Sequence, residues 1–246
     1  MADQKISDLG VVTDVLDTDE FVLARSGTTK KITGASLGIG NGWIDDSAAT
    51  WTRTADQTFT VTGDRTDAFS KGTRLRWTQT TVKYGVVILS AHAAGTTTVT
   101  IATTTDYVLT AAAISLNSYS YAANPQGYPG VFNYVPGYTG FSANPTLERA
   151  TFQIIGRQCF IEVKTSAAGT SNSTSFTMTG LPAPYGLSTA GWQWVRGTNN
   201  SVVLAAPAMC QFVLDSTTLT LLRDGTGTGW TASGTKNADY VLMYTI

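Results

Sequence analysis

The sequence predicts an all-β protein: a short N-terminal arm with a β-hairpin, then two antiparallel β domains of sandwich or jelly-roll type. Three observations carry this. Threonine supplies 42 of the 246 residues, and a β-branched side chain suits a half-exposed pleated surface. Helix formers never gather in long periodic runs, and glutamate occurs only as Glu20, Glu148 and Glu162. Short alternating segments recur with Gly, Pro, Asn or Asp between them, roughly every 10–14 residues, as strands and turns do in a sandwich.

The arm spans 1–40 and contains KISDLG, then VVTDVLDTDE, then EFVLARSGTTKKITGASL. In the last stretch a Gly-Thr-Thr turn and two lysines separate two strand-like runs. So small a hairpin encloses no core of its own. SLGIGNGW (36–43) follows with Gly38, Gly40 and Gly42, a hinge where positive φ is wanted.

Residues 41–133 read as the first β domain. TFTVTG alternates Phe59 and Val61 against threonines, a period of two. Gly63-Asp64 and Lys71-Gly72 mark turns, and TRLRWTQTT places Leu75 and Trp77 on one face with Arg74 and Arg76 on the other. KYGVVILSAHA and TTTVTIATT, joined by AAGT, form a hairpin with a short Gly-containing loop. YSYAANPQGYPG (119–130) is a connection stiffened by proline and pinned by tyrosines.

Residues 134–246 read as the C-terminal β-sandwich. ATFQIIGRQCFIEVKT gives two strands around Gly156-Arg157, with Cys159, Ile161 and Val163 facing one way. STSFTMTGLPAPYG turns Phe176 and Met178 inward before a Pro-rich corner, and TTLTLLRDG continues the meander. The closing YVLMYTI is apolar on both faces, as a central or interface strand is and an exposed edge is not.

Composition narrows function. Hydrophobic residues make up 42% of the chain and charged residues 13%, about half the usual share. A net charge of −1 provides no field for nucleic acid or an anionic membrane. No apolar stretch approaches the ~20 residues that span a bilayer. MADQKISDLG lacks the basic and apolar regions of a signal peptide, so synthesis in a cytoplasm is expected. In that compartment Cys159 and Cys210 read as two buried thiols, with a disulfide open if their strands lie within reach.

Chemistry-bearing patterns are sparse, and neither a catalytic centre, a cofactor nor a metal is expected. His92 is the only histidine, at a strand end before a Gly turn, which precludes a site built on several imidazoles within one chain. CxxC and HExxH are missing. Asp14, Asp17, Asp19 and Glu20 cluster without the spacing of a calcium loop; they read as a solvated patch or a partner contact. Asp45 and Asp46 read as turn formers. GTGTG (225–229) lacks the Lys-Ser/Thr of a phosphate loop and reads as a strand connection. Asp215, Asp224, Glu148 and Glu162 are the carboxyls a glycosidase pair would have to use. Trp192, Trp194 and Trp230 are candidate glycan contacts, with Tyr119, Tyr121, Tyr128 and Tyr138 beside them; core or inter-subunit packing is the competing role of these rings.

The arm carries a family resemblance. KISDL, then DTDEFVLAR, then SGTTKKITGASL resembles the N-terminal segment of many tailed-bacteriophage virion proteins: tail fibres, head fibres and decoration proteins. Lys5, Ile6, Ser7, Asp19, Glu20, Gly27, Thr28, Thr29, Lys30 and Lys31 carry the match. DQTFTVTGDRTDAFSKGTRLRWTQTTVKYGVV resembles a β module of phage fibre-type proteins, and GWTASGTKNADYVLMYTI is similar to the last strands of fibre or spike tips. The resemblance implies a non-enzymatic appendage on the virion surface, usually a homotrimer, docked on a capsid, collar or tail protein and displaying its far end to host-surface glycan. Docking would fall to Phe21, Leu23, Gly27, Thr28, Thr29, Lys30, Lys31 and Ile32, by pairing of the hairpin edge with a partner strand.

Overall fold

The computed structural model describes residues 20–25, 28–34, 40–104, 107–184, 186, 191–214 and 216–246. Every regular element among them is a β-strand, and every pairing is antiparallel. The expected class is therefore observed: a hairpin followed by antiparallel sheets.

The hairpin is β1 (Glu20–Arg25) and β2 (Thr28–Thr33). Its register runs from Glu20 opposite Thr33 to Arg25 opposite Thr28. These strands form a sheet of their own and pair with no other strand among the described residues.

The next unit is a seven-stranded sheet: β3 (Ile44–Asp45), β4 (Thr52–Ala55), β5 (Thr58–Thr62), β6 (Arg74–Gln79), β7 (Thr81–Ala93), β8 (Thr96–Ala102) and β9 (Ser115–Ser120), in spatial order β3-β9-β6-β7-β8-β5-β4. Alternation decides which side chains enter its core. Phe59, Val61, Leu75, Trp77, Val87, Val99 and Ile101 point to one face, where Trp51, Phe69 and Leu109 cover them from the connecting segments. Trp51 stacks on Phe59 at 4.4 Å and meets Phe69 edge-on at 5.5 Å. The β7–β8 turn places Ala94 and Gly95 at φ 51° and 78°, the positive pair that matches strand twist in a two-residue hairpin. Asp45 acts as the expected turn former, accepting from the Ser47 amide at 3.2 Å. Asp46 does more: it is buried, accepts from the Trp51 indole at 2.8 Å and pairs with Arg65 at 2.7 Å.

β7 is buried on both sides along Gly85–Ile88, because its second face meets the C-terminal unit. Val86 and Ile88, with Ala102 of β8, belong to the same apolar cluster as the C-terminal core. The connection after β9 lies against this seam. Tyr128 packs on Trp43, Tyr84 and Phe132, and the Trp43 indole donates to the Gln126 carbonyl at 2.8 Å. Aromatic pinning is thus observed at Tyr128, whereas Tyr119 and Ser120, expected in the connection, belong to β9.

The C-terminal unit contains β10 (Phe132–Asn133), β11 (Gly137–Thr139), β12 (Phe141–Ala143), β13 (Thr146–Ile155), β14 (Gln158–Ala167), β15 (Gly169–Ser171), β16 (Phe176–Thr179), β17 (Trp192–Asn199), β18 (Val202–Val203), β19 (Ala208–Phe212), β20 (Leu219–Leu222) and β21 (Thr235–Thr245). Nine of these strands follow one hydrogen-bonded path, β10-β13-β14-β21-β17-β19-β20-β16-β11, with β15 and β18 pairing beside it on β21 and β17 and β12 on β15. The path bends at β17, which changes partner midway. Arg196–Asn199 pairs with β21, whereas Trp192–Val195 pairs with β19. Strands that switch partners in this way turn the corners of a sandwich. Where β17 leaves β21, the Gln193 carboxamide replaces the ladder, donating to the Met243 carbonyl and accepting from its amide.

Between the layers lie Phe152, Ile154, Cys159, Ile161, Val163, Leu242 and Tyr244 from one side and Phe176, Met178, Val195, Cys210, Phe212, Leu219 and Leu221 from the other. β21 is a central strand, as its two-faced apolarity predicts. Tyr240, Leu242, Tyr244 and Ile246 enter the core, while Val241 and Met243 stand exposed on the outer face. The Gly156 turn of the β13–β14 hairpin reaches the first unit at Gly72: at φ +89°, a Cβ on Gly72 would sit 2.4 Å from the Gly156 carbonyl oxygen. The two β units therefore approach backbone to backbone, a fit that only glycine allows.

Candidate functional site

The hairpin is built from local signals. In the ladder Phe21 opposes Ile32, Val22 opposes Lys31, Leu23 opposes Lys30 and Ala24 opposes Thr29, and Thr28 closes it against Arg25. Phe21 and Ile32 are half-buried and Val22 is exposed. Gly27 lies outside the described residues, as do Asp14, Asp17 and Asp19. Lys31 pairs with Glu20 at 2.5 Å, both well exposed. An exposed ion pair of this kind contributes little stability but holds register across the strands. One of the two lysines and the last residue of the acidic run thus meet within the hairpin itself.

The three candidate glycan-contact tryptophans separate. Trp192 and Trp194, two positions apart on β17, share its outer face and are 50% and 63% exposed. Trp230 is 4% exposed: its indole donates to the Leu221 carbonyl at 2.9 Å and its ring lies 5.4 Å from Phe176. Trp230 is therefore a core residue, which corrects the expectation that it contacts glycan. It follows a Gly-Thr loop with no alternation to reveal its direction, so no periodic signal was available. Among the tyrosines, Tyr128 and Tyr138 are half-buried against the C-terminal core, Tyr119 lies against Phe69, and Tyr121 is exposed.

Other chemistry-bearing groups are engaged with neighbours. Glu162 pairs with Arg149, and Glu148 with Lys164 at 2.9 Å, across β13 and β14. Asp224 accepts from the Thr226 and Thr228 amides and the Thr226 hydroxyl; these bonds hold its carboxyl down at about 2. Asp215 lies outside the described residues. His92 opposes Thr97 at the end of β7, with Nδ1 3.8 Å from Asp64. No group of three His, Cys, Asp or Glu suited to a metal occurs among the described residues. Lys236 was missed by sequence reasoning. It is buried, its ammonium donating to the Asn200 side chain at 3.0 Å and the Ser233 carbonyl at 2.6 Å, and burial lowers its pKa.

Cys159 on β14 and Cys210 on β19 are free, buried thiols on different layers of the sandwich. Burial pushes Cys159 up to about 12 and Cys210 higher. It also raises the phenols of Tyr138, to about 12, and of Tyr128, Tyr134, Tyr240 and Tyr244 beyond that. A phenol with a raised native pKa keeps its proton in the folded chain after the unfolded chain has lost it. Its stabilisation is full below the unfolded value of about 10 and is lost as pH climbs through the native value. The denaturation midpoint should therefore fall steeply above pH 10, with these phenols ionising only as the protein unfolds. Absorbance at 295 nm followed beside circular dichroism checks this; normal titration near pH 10 in folded protein would contradict it.

No protein-family model matches the chain, and no curated protein matches it in sequence.

Proposed function

We propose that this chain is a structural subunit of a tailed-bacteriophage particle: a fibre, spike or decoration protein anchored by its N-terminal hairpin. Its C-terminal β unit faces outward and contributes to host-surface adhesion, and the subunits associate as a homotrimer. The observation that carries the reading is the hairpin, which forms a two-stranded sheet of its own among the described residues. A lone two-stranded hairpin is at best marginal in water. A partner strand added to its edge supplies the missing hydrogen bonds. The family resemblance of the arm names the kind of particle on which such a partner would be found.

Exposed apolar side chains support association of copies. Val241 and Met243 stand on the outer face of β21, with Phe160 opposite Met243 on β14, and such clusters mark contact surfaces. Immunogold labelling of purified particles tests the proposal. Label on a surface appendage is the expected result; particles free of the protein would sink it.

A second reading, a receptor-binding protein for host-surface glycan, is favoured by the exposed Trp192 and Trp194 and is compatible with the first. A polysaccharide depolymerase is the weaker alternative, since Glu148 and Glu162 are tied to Lys164 and Arg149 on a sheet surface.

A further inference from the structure

We propose that the outer face of the β17-β19-β20-β16-β11 sheet binds a neutral glycan laid across the strands. Trp192 and Trp194 form the stacking platform, and Gln211, Thr220, Thr177 and Thr139 form a row of polar contacts. This deepens the adhesive role given above to the C-terminal unit and rests on that reading.

The register places the row. Trp192 opposes Gln211, Gln211 opposes Thr220, Thr220 opposes Thr177 and Thr177 opposes Thr139. Directly opposed residues project from the same face. Here that face is the outer one, because Cys210, Phe212, Leu219, Leu221, Phe176 and Met178 take the alternate positions inside. The row crosses five strands at right angles to their run. With strands ~4.8 Å apart it is about 19 Å long and offers one side chain per step. The step is comparable with the advance of one sugar unit in an extended glycan.

The chemistry along the row is that of a sugar. An indole face accepts the C–H face of a pyranose, while a carboxamide and hydroxyls both donate and accept, as sugar hydroxyls do. Thr139 and Thr177 already share a hydrogen bond at 2.6 Å, which fixes their rotamers and leaves further lone pairs outward. No charged side chain lies in the row. Beside it, Trp194 opposes Met209, which is buried under the ring and the Gly225 loop and in turn opposes the half-buried Leu222.

The platform is held in place before any ligand arrives. A Cβ added to Gly225 would sit 2.8 Å from the Trp194 ring and 3.5 Å from Met209 sulfur, so the 224–228 loop lies directly against the ring edge. Asp224 ties that loop through its bonds to Thr226 and Thr228. Such preorganisation lowers the entropy lost on binding.

The test uses the full chain, titrated with linear neutral hexose oligosaccharides of two to six units (cello-, malto- and manno-series) and screened on a glycan array. The expected result is saturable binding seen by tryptophan fluorescence and calorimetry, tightening with length until the row is filled at about four or five units. Trp192→Ala and Trp194→Ala should each weaken it roughly tenfold, one stacked ring's worth, with no shift in melting temperature. Thr177→Val with Thr220→Val should weaken it further without touching the rings.

Four results overturn the inference: no binding of any neutral glycan at millimolar concentration; binding indifferent to both tryptophan substitutions; binding of anionic glycans alone, lost in Arg196→Ala; or a smaller sedimenting species in the tryptophan variants, which would place a second copy of the chain on this face. Incorporation into particles is scored separately. Tryptophan variants that enter particles normally but lose glycan leave the appendage reading intact. Glycan binding by a chain that never enters particles removes that reading alone.

Discussion

Deletion of residues 2–38 is expected to leave both β units folded while abolishing incorporation into particles. Among the described residues neither apolar core draws a side chain from the hairpin, and its strands pair only with each other. The truncated chain should therefore keep its melting temperature and its glycan response. What it loses is the edge that a partner strand completes. Loss of docking worth ~3 kcal/mol lowers affinity for the particle roughly a hundredfold. Finer variants separate docking from mere chain shortening. Phe21→Asp with Ile32→Asp places charge at the half-buried opposed pair and should reproduce the deletion. Lys31→Ala removes only an exposed ion pair with Glu20 and should have a small effect. Co-purification with particles from cells producing each variant gives the answer. Normal incorporation of the truncated chain would falsify docking by the arm.

Trp230→Ala is expected to cost about 3–5 kcal/mol, the usual penalty for emptying a buried aromatic site. The ring closes the sandwich beside Phe176, and its loss also removes the bond that its indole donates to the Leu221 carbonyl. In a chain of this size each kcal/mol lowers the melting temperature by roughly 2–4 °C, so a fall of about 10 °C follows. Trp192→Ala and Trp194→Ala should change stability by no more than ~0.5 kcal/mol, being surface residues. Denaturant unfolding of the three variants side by side makes the comparison. A Trp230 variant as stable as the other two would mean that the sandwich is not sealed at that point.

These three tryptophans show how far a sequence reaches. Trp192 and Trp194 lie on a strand, so a period of two puts them on one face from local geometry alone. Which face that is depends on β17 pairing with β19 at one end and β21 at the other. Those partners are distant in sequence, and nothing local announces them. Trp230 follows a Gly-Thr loop, where no alternation exists to read. Buried cations escaped for a related reason. Arg74 and Lys236 sit inside, Arg74 donating to the Gly72 carbonyl and Lys236 to the Asn200 carboxamide and the Ser233 carbonyl, whereas charged residues are ordinarily read as outside.

By itself the sequence determined most of what is governed by neighbours a few residues apart. It set the all-β class, the presence of the N-terminal hairpin, the inward positions of Phe59, Val61, Leu75, Trp77, Phe176 and Met178, and the turns at Gly63, Gly72 and Gly156. It misplaced the hairpin's turn, because Thr28, Thr29, Lys30 and Lys31, expected between the strands, belong to β2. Turn chemistry and two-residue alternation are local properties, so the residues carry them directly. Only the tertiary structure decided which strands meet. It joined β7 to the C-terminal core through Val86 and Ile88, turned the sheet at the β17–β21 corner, and aligned Trp192, Gln211, Thr220, Thr177 and Thr139 across five strands. Those contacts close long loops, and their free energy comes from burying both partners at once; a single segment of chain holds only half of each.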